Sequence, residues 1–143
     1  MSVARMLEEK GSDVFTMPPS TNTMDAVIAL REHKIGALVV SSGQGKIDGI
    51  LSERDVVRAL AEHGKKALSE PVSAHMTSNV VTCTERANVP ELMELMTKGR
   101  FRHLPVERDG KLAGIISIGD VIKRRIAEVE AEAEDIKSYI ASG

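Results

Sequence analysis

Aromatic residues are nearly missing from this chain: two Phe, one Tyr and no Trp in 143 residues. A core must then be built from Val, Ile, Leu, Ala and Met, and an apolar content of 42% allows that. Cys83 is the one cysteine, so no disulfide can close within a chain. Such a residue reads more readily as a small buried apolar group than as a redox thiol. There is no basic excess, the formal net charge being −2, which argues against a nucleic-acid surface. No apolar run approaches the roughly 20 residues that span a bilayer. The first ten residues carry Glu8 and Glu9 where a secretion signal needs an apolar stretch. The expectation is a soluble, cytoplasmic protein with no membrane partner. Neither an HExxH motif nor a Gly-x-x-x-x-Gly-Lys-Ser/Thr loop occurs, and His33, His63, His75 and His103 are scattered along the chain. No metal site and no catalytic set are expected, so the chain does not read as an enzyme.

What is present is an internal repeat. Val14-Phe15-Thr16-Met17 lies over Val80-Val81-Thr82-Cys83 at an offset of 66. The same offset carries Lys34–Val40 onto Arg100–Val106. After a one-residue loss in a turn, Gly49-Ile50-Leu51-Ser52-Glu53-Arg54-Asp55 lies over Gly114-Ile115-Ile116-Ser117-Ile118-Gly119-Asp120. Each copy reads β-α-β-β-α: a short extended run (Val14–Thr16 or Val80–Thr82), an amphipathic helix, two strands and a second helix. The fold class expected is α/β (α+β), with two small sheets packed against helices about a pseudo-twofold axis. One copy of about 50 residues buries too little surface to be comfortable alone. Two copies packed together bury more and create a cleft at their seam. The expected division is 1–65 for the first motif with its N-terminal helix, 66–75 for a linker and 76–125 for the second motif. Residues 126–143 form a C-terminal amphipathic helix. The tail Ile122–Ile140 carries Ile126, Val129, Ala133, Ile136 and Ile140 on one stripe, suited either to packing on its own module or to a dimer contact. Met1–Leu7 could lie beside it.

The chemistry concentrates where a strand ends and a helix begins. Ser52 with Asp55, and Ser117 with Asp120, form Ser-x-x-Asp at such a junction. A hydroxyl beside free helix N–H groups suits a phosphate. An aspartate one turn later can accept both vicinal hydroxyls of a ribose. The same two residues are also ordinary helix caps, and both roles can coexist. Arg54 adds a guanidinium fork beside the first corner, where the second has Gly119. An adenine needs an apolar slot with a few backbone partners. Ile35, Gly36 and Ala37 supply one, Phe101 supplies the other, and Ile50 and Ile115 close them.

The paired closing strings Gly-Ile-Leu-Ser-Glu-Arg-Asp and Gly-Ile-Ile-Ser-Ile-Gly-Asp, together with Phe101-Arg102-His103-Leu104-Pro105-Val106, resemble a CBS-domain pair, or Bateman module, over roughly residues 5–125. The resemblance implies a stand-alone, prokaryotic-type regulatory module that holds an adenosine ligand at the seam: AMP, ADP, ATP or NAD(H). It implies an energy or redox sensor that signals to a regulated protein and assembles as a homodimer of pairs. It also implies that Arg102 and His103 reach the ligand phosphate, and that Thr16, Thr82, Thr21 and Thr23 contribute to the sites. Arg54 and Arg102 favour a phosphorylated ligand over S-adenosylmethionine. The alternative is a protein-interaction adaptor with vestigial sites; RNA binding and hydrolase activity have no supporting motif.

Overall fold

A computed structural model describes residues 2–142. The first copy contains β1 (Thr16–Met17), α2 (Thr23–His33), β2 (Ala37–Val40), β3 (Gly49–Ser52) and α3 (Glu53–His63), preceded by α1 (Val3–Lys10). The second contains β4 (Cys83–Thr84), α4 (Val89–Gly99), β5 (His103–Arg108), β6 (Lys111–Ser117) and α5 (Ile118–Ser142). Each copy forms a three-stranded sheet, β1-β2-β3 or β4-β5-β6, with its first pair parallel and its second antiparallel. The pairings keep the sequence register: Met17 faces Val40 and Cys83 faces Val106, while Val40 faces Gly49 and Val106 faces Gly114.

The local elements follow from their residues. Asn22 and Asn88 cap α2 and α4 with their side-chain oxygens, satisfying backbone N–H groups that a first turn leaves open. Both helices end on a cation in the left-handed region, Lys34 at φ 54 and Arg100 at φ 56. A residue with a Cβ is disfavoured there, but a positive charge complements the negative end of the helix dipole. β5 and β6 join through Asp109-Gly110, both at positive φ, as a two-residue hairpin turn of the mirror-image type requires.

The first strands depart from the sequence reading. They form at Thr16–Met17 and Cys83–Thr84, and Val80–Thr82 lies outside the sheet. Two-residue parallel strands are placed by their β2 and β5 partners rather than by local β propensity.

The copies exchange their entry segments. Val3, Met6 and Leu7 of α1 are buried in the second copy's core, with Leu92, Leu104 and Ile116. The N-terminal helix therefore packs on the second motif, not on the first with which the sequence reading grouped it. Conversely, the segment between the copies folds as two 3-10 turns, Gly64–Ser69 and Val72–Ala74, and sends Val72 and Met76 into the first core beside Leu38 and Leu51. Each fully buried leucine or valine contributes about 1.5–3 kcal/mol, so the exchange fastens the halves together. Backbone ties run the same way: Val3 N–H donates to Ala87 O at 2.8 Å, and Thr23 N–H donates to Glu70 O at 2.9 Å.

α5 is one continuous helix across the expected boundary at 125/126. Val121 is its buried residue, while Ile122, Ile126, Val129, Ile136, Tyr139 and Ile140 are exposed. The stripe is thus not packed on its own module among the described residues. α1 is tied to the helix by Arg124 and Glu9 at 3.3 Å; Met1 lies outside the described residues. No helix among the described residues is long and apolar enough to cross a membrane.

Candidate functional site

The two Ser-x-x-Asp corners fold as helix caps. In the first copy the Ser52 N–H and hydroxyl donate to Asp55 Oδ2 at 2.9 and 3.1 Å, and Ser52 Oγ accepts from the Asp55 N–H at 3.3 Å. Asp55 Oδ1 accepts from Arg58 at 2.8 Å and from the Thr77 hydroxyl at 3.2 Å. Asp55 is buried, 3% exposed. Its four received bonds fill the acceptor capacity of a carboxylate. A ribose hydroxyl reaching this carboxylate must therefore take the place of Thr77 or Arg58. The Ser52 hydroxyl likewise spends its proton on Asp55 rather than holding it ready for a phosphate.

In the second copy Ser117 and Asp120 repeat the reciprocal cap at 2.8, 2.9 and 3.1 Å. Here the additional donor is Lys10 at the end of α1, whose Nζ lies 2.6 Å from Asp120 Oδ2 and 2.9 Å from the Ile115 carbonyl. Burial pushes the Asp120 carboxyl up, but the bonds from Lys10 and Ser117 outweigh it and hold the group below its ordinary value. Lys10 thus donates to the Asp120 oxygen that Ser117 already holds, whereas Thr77 donates to the other oxygen of Asp55.

Between the copies lies a cavity of about 560 Å³, within the size range of small-molecule sites. The first copy lines it with Gly36, Ile50, Ser52, Glu53, Arg54, Asp55 and Arg58. The second contributes Gly99–His103 and Ser117–Gly119, and the crossing segment adds Thr77 and Asn79–Val81. The N-termini of α3 and α5 both open onto it, bringing the positive ends of two helix dipoles to one space. Arg54 reaches across the seam and donates to the Arg100 carbonyl at 3.1 Å. Gly36 has no side chain because His103 packs there: a Cβ would stand 3.2 Å from the imidazole. Burial holds the His103 pKa below the ordinary imidazole value, with Glu53 opposing. Phe101 folds back over Gly99, where a Cβ would collide with its ring. With Arg58 paired to Asp55, the lining leaves Arg54, Arg100 and Arg102 against Glu53. The cavity therefore presents a local positive excess in a chain of net charge −2.

Of the residues anticipated from sequence, Gly36, Ile50, Ser52, Arg54, Asp55, Phe101, Arg102, His103 and Ser117 converge on this cavity. Others do not line it. Ala37 is buried in its strand, and Ile35 is half-buried against the first core. Thr23 is fully buried and its hydroxyl donates to Glu70 O at 2.6 Å. Thr21 accepts from the Val72 N–H through its carbonyl. Thr16 pairs with Val39 in the sheet, and Thr82 immediately precedes β4. Ile115 and Asp120 face Lys10. Sequence reasoning missed Glu53, Arg58, Thr77, Asn79, Val80, Val81 and Ile118. A signal for the crossing segment was available at Gly49, where a Cβ would lie 2.9 Å from Thr77 O. A bare residue inside a strand marks the close approach of another backbone.

Cys83 is buried, and burial together with Glu107 pushes its thiol pKa up to about 11, far from thiolate chemistry. The histidines are less scattered than their sequence positions suggest: His63 and His75 meet at Glu70.

The CBS domain profile matches residues 9–62 and 72–127. The crystal structure of a CBS-domain-containing protein from Agrobacterium tumefaciens, ATU1752, superposes with a TM-score of 0.85 at 50% identity, covering 87% of this chain and 99% of that one. The CBS domain pair of protein MJ0100, in complex with 5′-methylthioadenosine and S-adenosyl-L-methionine, superposes with a TM-score of 0.79 at 25% identity, covering 90% of this chain and 98% of that one. The mitochondrial CBS domain-containing protein CBSX3 of Arabidopsis thaliana is 37% identical over 123 residues, 83% of this chain and 60% of its own length. The chain thus spans three fifths of that relative.

Proposed function

The chain belongs to the CBS-domain family as a tandem pair, and on that premise we propose that the seam cavity binds one phosphorylated adenosine ligand per chain and relays its presence to a regulated protein. AMP, ADP, ATP and NAD(H) share the chemistry. The observation that carries the reading is the convergence of Arg54, Arg100, Arg102 and two helix N-termini on one cavity of about 560 Å³. The phosphate sits against Arg54 and Arg102, where guanidinium forks match its oxygens. The adenine lies against Ile50, Val80, Val81 and Phe101. A ribose hydroxyl replaces the Thr77 hydroxyl on Asp55, the longest of the four bonds to that carboxylate. A ligand touching both copies changes their relative preference for one arrangement, the physical requirement for a regulatory signal. The role is regulatory rather than catalytic, in the cytoplasm, and the exposed α5 stripe from Ile122 to Ile140 joins two pairs as a homodimer.

A second reading is supported by the same carboxylates. Asp55 is saturated by protein donors and Asp120 is tied to Lys10, as an adaptor with vestigial sites would have them. Isothermal titration of AMP, ATP, NADH, S-adenosylmethionine and 5′-methylthioadenosine separates the two. The nucleotide reading expects one phosphorylated ligand per chain, weakened about tenfold, or roughly 1.4 kcal/mol, by Arg54→Ala and by Arg102→Ala. Heat from none of the five ligands would leave the adaptor. Tighter binding of the two phosphate-free ligands would remove the arginines from the argument.

A further inference from the structure

Away from the seam, one cluster of side chains has no part in the arrangement above. His63 ends α3, Glu70 follows the first 3-10 turn, and His75 follows the second. His63 Nδ1 lies 3.0 Å and His75 Nε2 3.4 Å from the same oxygen, Glu70 Oε1. All three ligand atoms lie within 4.8 Å of one another. The two imidazoles meet edge to face, with centroids 5.3 Å apart.

The decisive feature is His75. Its side chain is only 6% exposed, and its buried Nε2 makes no well-formed hydrogen bond, its near neighbour Glu70 Oε1 lying at 3.4 Å. A buried polar atom left unpaired costs folding free energy and calls for an explanation. The surrounding backbone holds it there: the His75 N–H donates to Val72 O at 3.0 Å, and its carbonyl accepts from Arg58 at 3.2 Å. Glu70 is fixed as firmly, since its carbonyl accepts from both the N–H and the hydroxyl of Thr23.

We propose that His63, Glu70 and His75 form a binding site for a divalent transition metal, zinc above all, with a fourth position open to water. Two imidazole nitrogens and one carboxylate oxygen suit zinc, whereas calcium and magnesium favour shells of oxygen. Zinc bonds of 2.0–2.1 Å in a tetrahedron place neighbouring ligand atoms about 3.4 Å apart. The separations of 3.0 and 3.4 Å from Glu70 Oε1 already approach that edge. His63, 45% exposed, provides the entry side. Bound metal gives the orphaned His75 nitrogen its partner and staples the end of α3 to the segment that leads into the second copy.

The test uses the full chain freed of metal by chelation. Zinc titration should show one ion per chain. Cobalt should replace it with the intense visible absorption of a tetrahedral site. Loss of a group that merely supports a ligand costs about tenfold in metal affinity, so His63→Ala and Glu70→Gln, which remove ligands, should each cost more. His33→Ala, whose ring packs on Phe15 outside this cluster, should change nothing. His63 is exposed enough for its variant to keep the fold, which circular dichroism checks. No zinc bound, or zinc affinity unaltered in both variants, would overturn the proposal.

Discussion

Asp55 and Asp120 close the same loop in the two copies, yet one is buried under four donors and the other is partly exposed beside a lysine. The caps are alike because Ser-x-x-Asp encodes them locally. The difference comes from what crosses over each corner. Met76 and Thr77 pass across the first copy, with Thr77 exchanging both backbone hydrogen bonds with Ile50 at 2.9 Å. α1 passes across the second and leaves Lys10 in the corner. A duplicated motif thus yields two unequal corners: the first brings Asp55 and Arg54 to the seam, and the second brings Ser117 and Gly119 while Lys10 holds Asp120.

Variants made in pairs can break or sharpen this contrast. The largest difference is expected at the aspartates. Both substitutions remove a cap and its bond to a part-buried serine N–H, but Asp55→Ala also takes a buried partner from the Thr77 hydroxyl and from Arg58, costing about 2–3 kcal/mol, whereas Asp120→Ala gives up only the cap and a part-exposed ion pair, about 1 kcal/mol. Urea denaturation of both measures it, and equal losses would remove the asymmetry. Next come the matched glycines. At Gly49 a Cβ would meet Met76 Sδ at 2.5 Å and the Thr77 carbonyl at 2.9 Å; at Gly114 it would meet only the end of the Leu7 side chain, at 2.7 Å. The Thr77 backbone is pinned by two hydrogen bonds to Ile50, while the end of the buried Leu7 side chain can shift a little, so Gly49→Ala should cost about 3 kcal/mol and Gly114→Ala about 1 kcal/mol. Thermal melts that reverse this order would contradict the exchanged packing.

The smallest effect belongs to Lys10. Asp120 is held below its usual carboxyl value of 3.8. A carboxyl depressed in the folded state stabilises fully above its unfolded value and loses that contribution as pH falls through its folded value. Lys10→Met should therefore cost up to about 1 kcal/mol at neutral pH, this being a part-exposed pair. The gap from the parent protein should close below about pH 4. A gap that persists in acid would assign the loss to packing of the lysine stem instead.

The doubled β-α-β-β-α order, the register between copies and the Ser-x-x-Asp caps were legible because each is written in neighbouring residues: the same apolar runs at a fixed offset, and Gly-Ile before Ser-x-x-Asp. The exchange of entry segments was not. Val3, Met6, Leu7, Val72 and Met76 announce burial, but nothing in an apolar side chain says which of two similar cores it enters. Thr77, Asn79, Val80 and Val81 were missed as cavity lining because nothing in the sequence says across which copy this segment passes. Arg54 was singled out because its guanidinium stands beside a helix start, and Arg102 because the family resemblance implies it; both line the seam cavity. The His63–Glu70–His75 group was hidden because the two 3-10 turns, not a regular spacing on one helix, bring its members together.

The most direct test of the unequal seam is a crystal structure of the full chain with AMP. The phosphate should lie between Arg54 and Arg102, with the ribose near Asp55 and Lys10 still bonded to Asp120. A nucleotide seated instead against Ile115 and Asp120, with Lys10 displaced, would contradict the account.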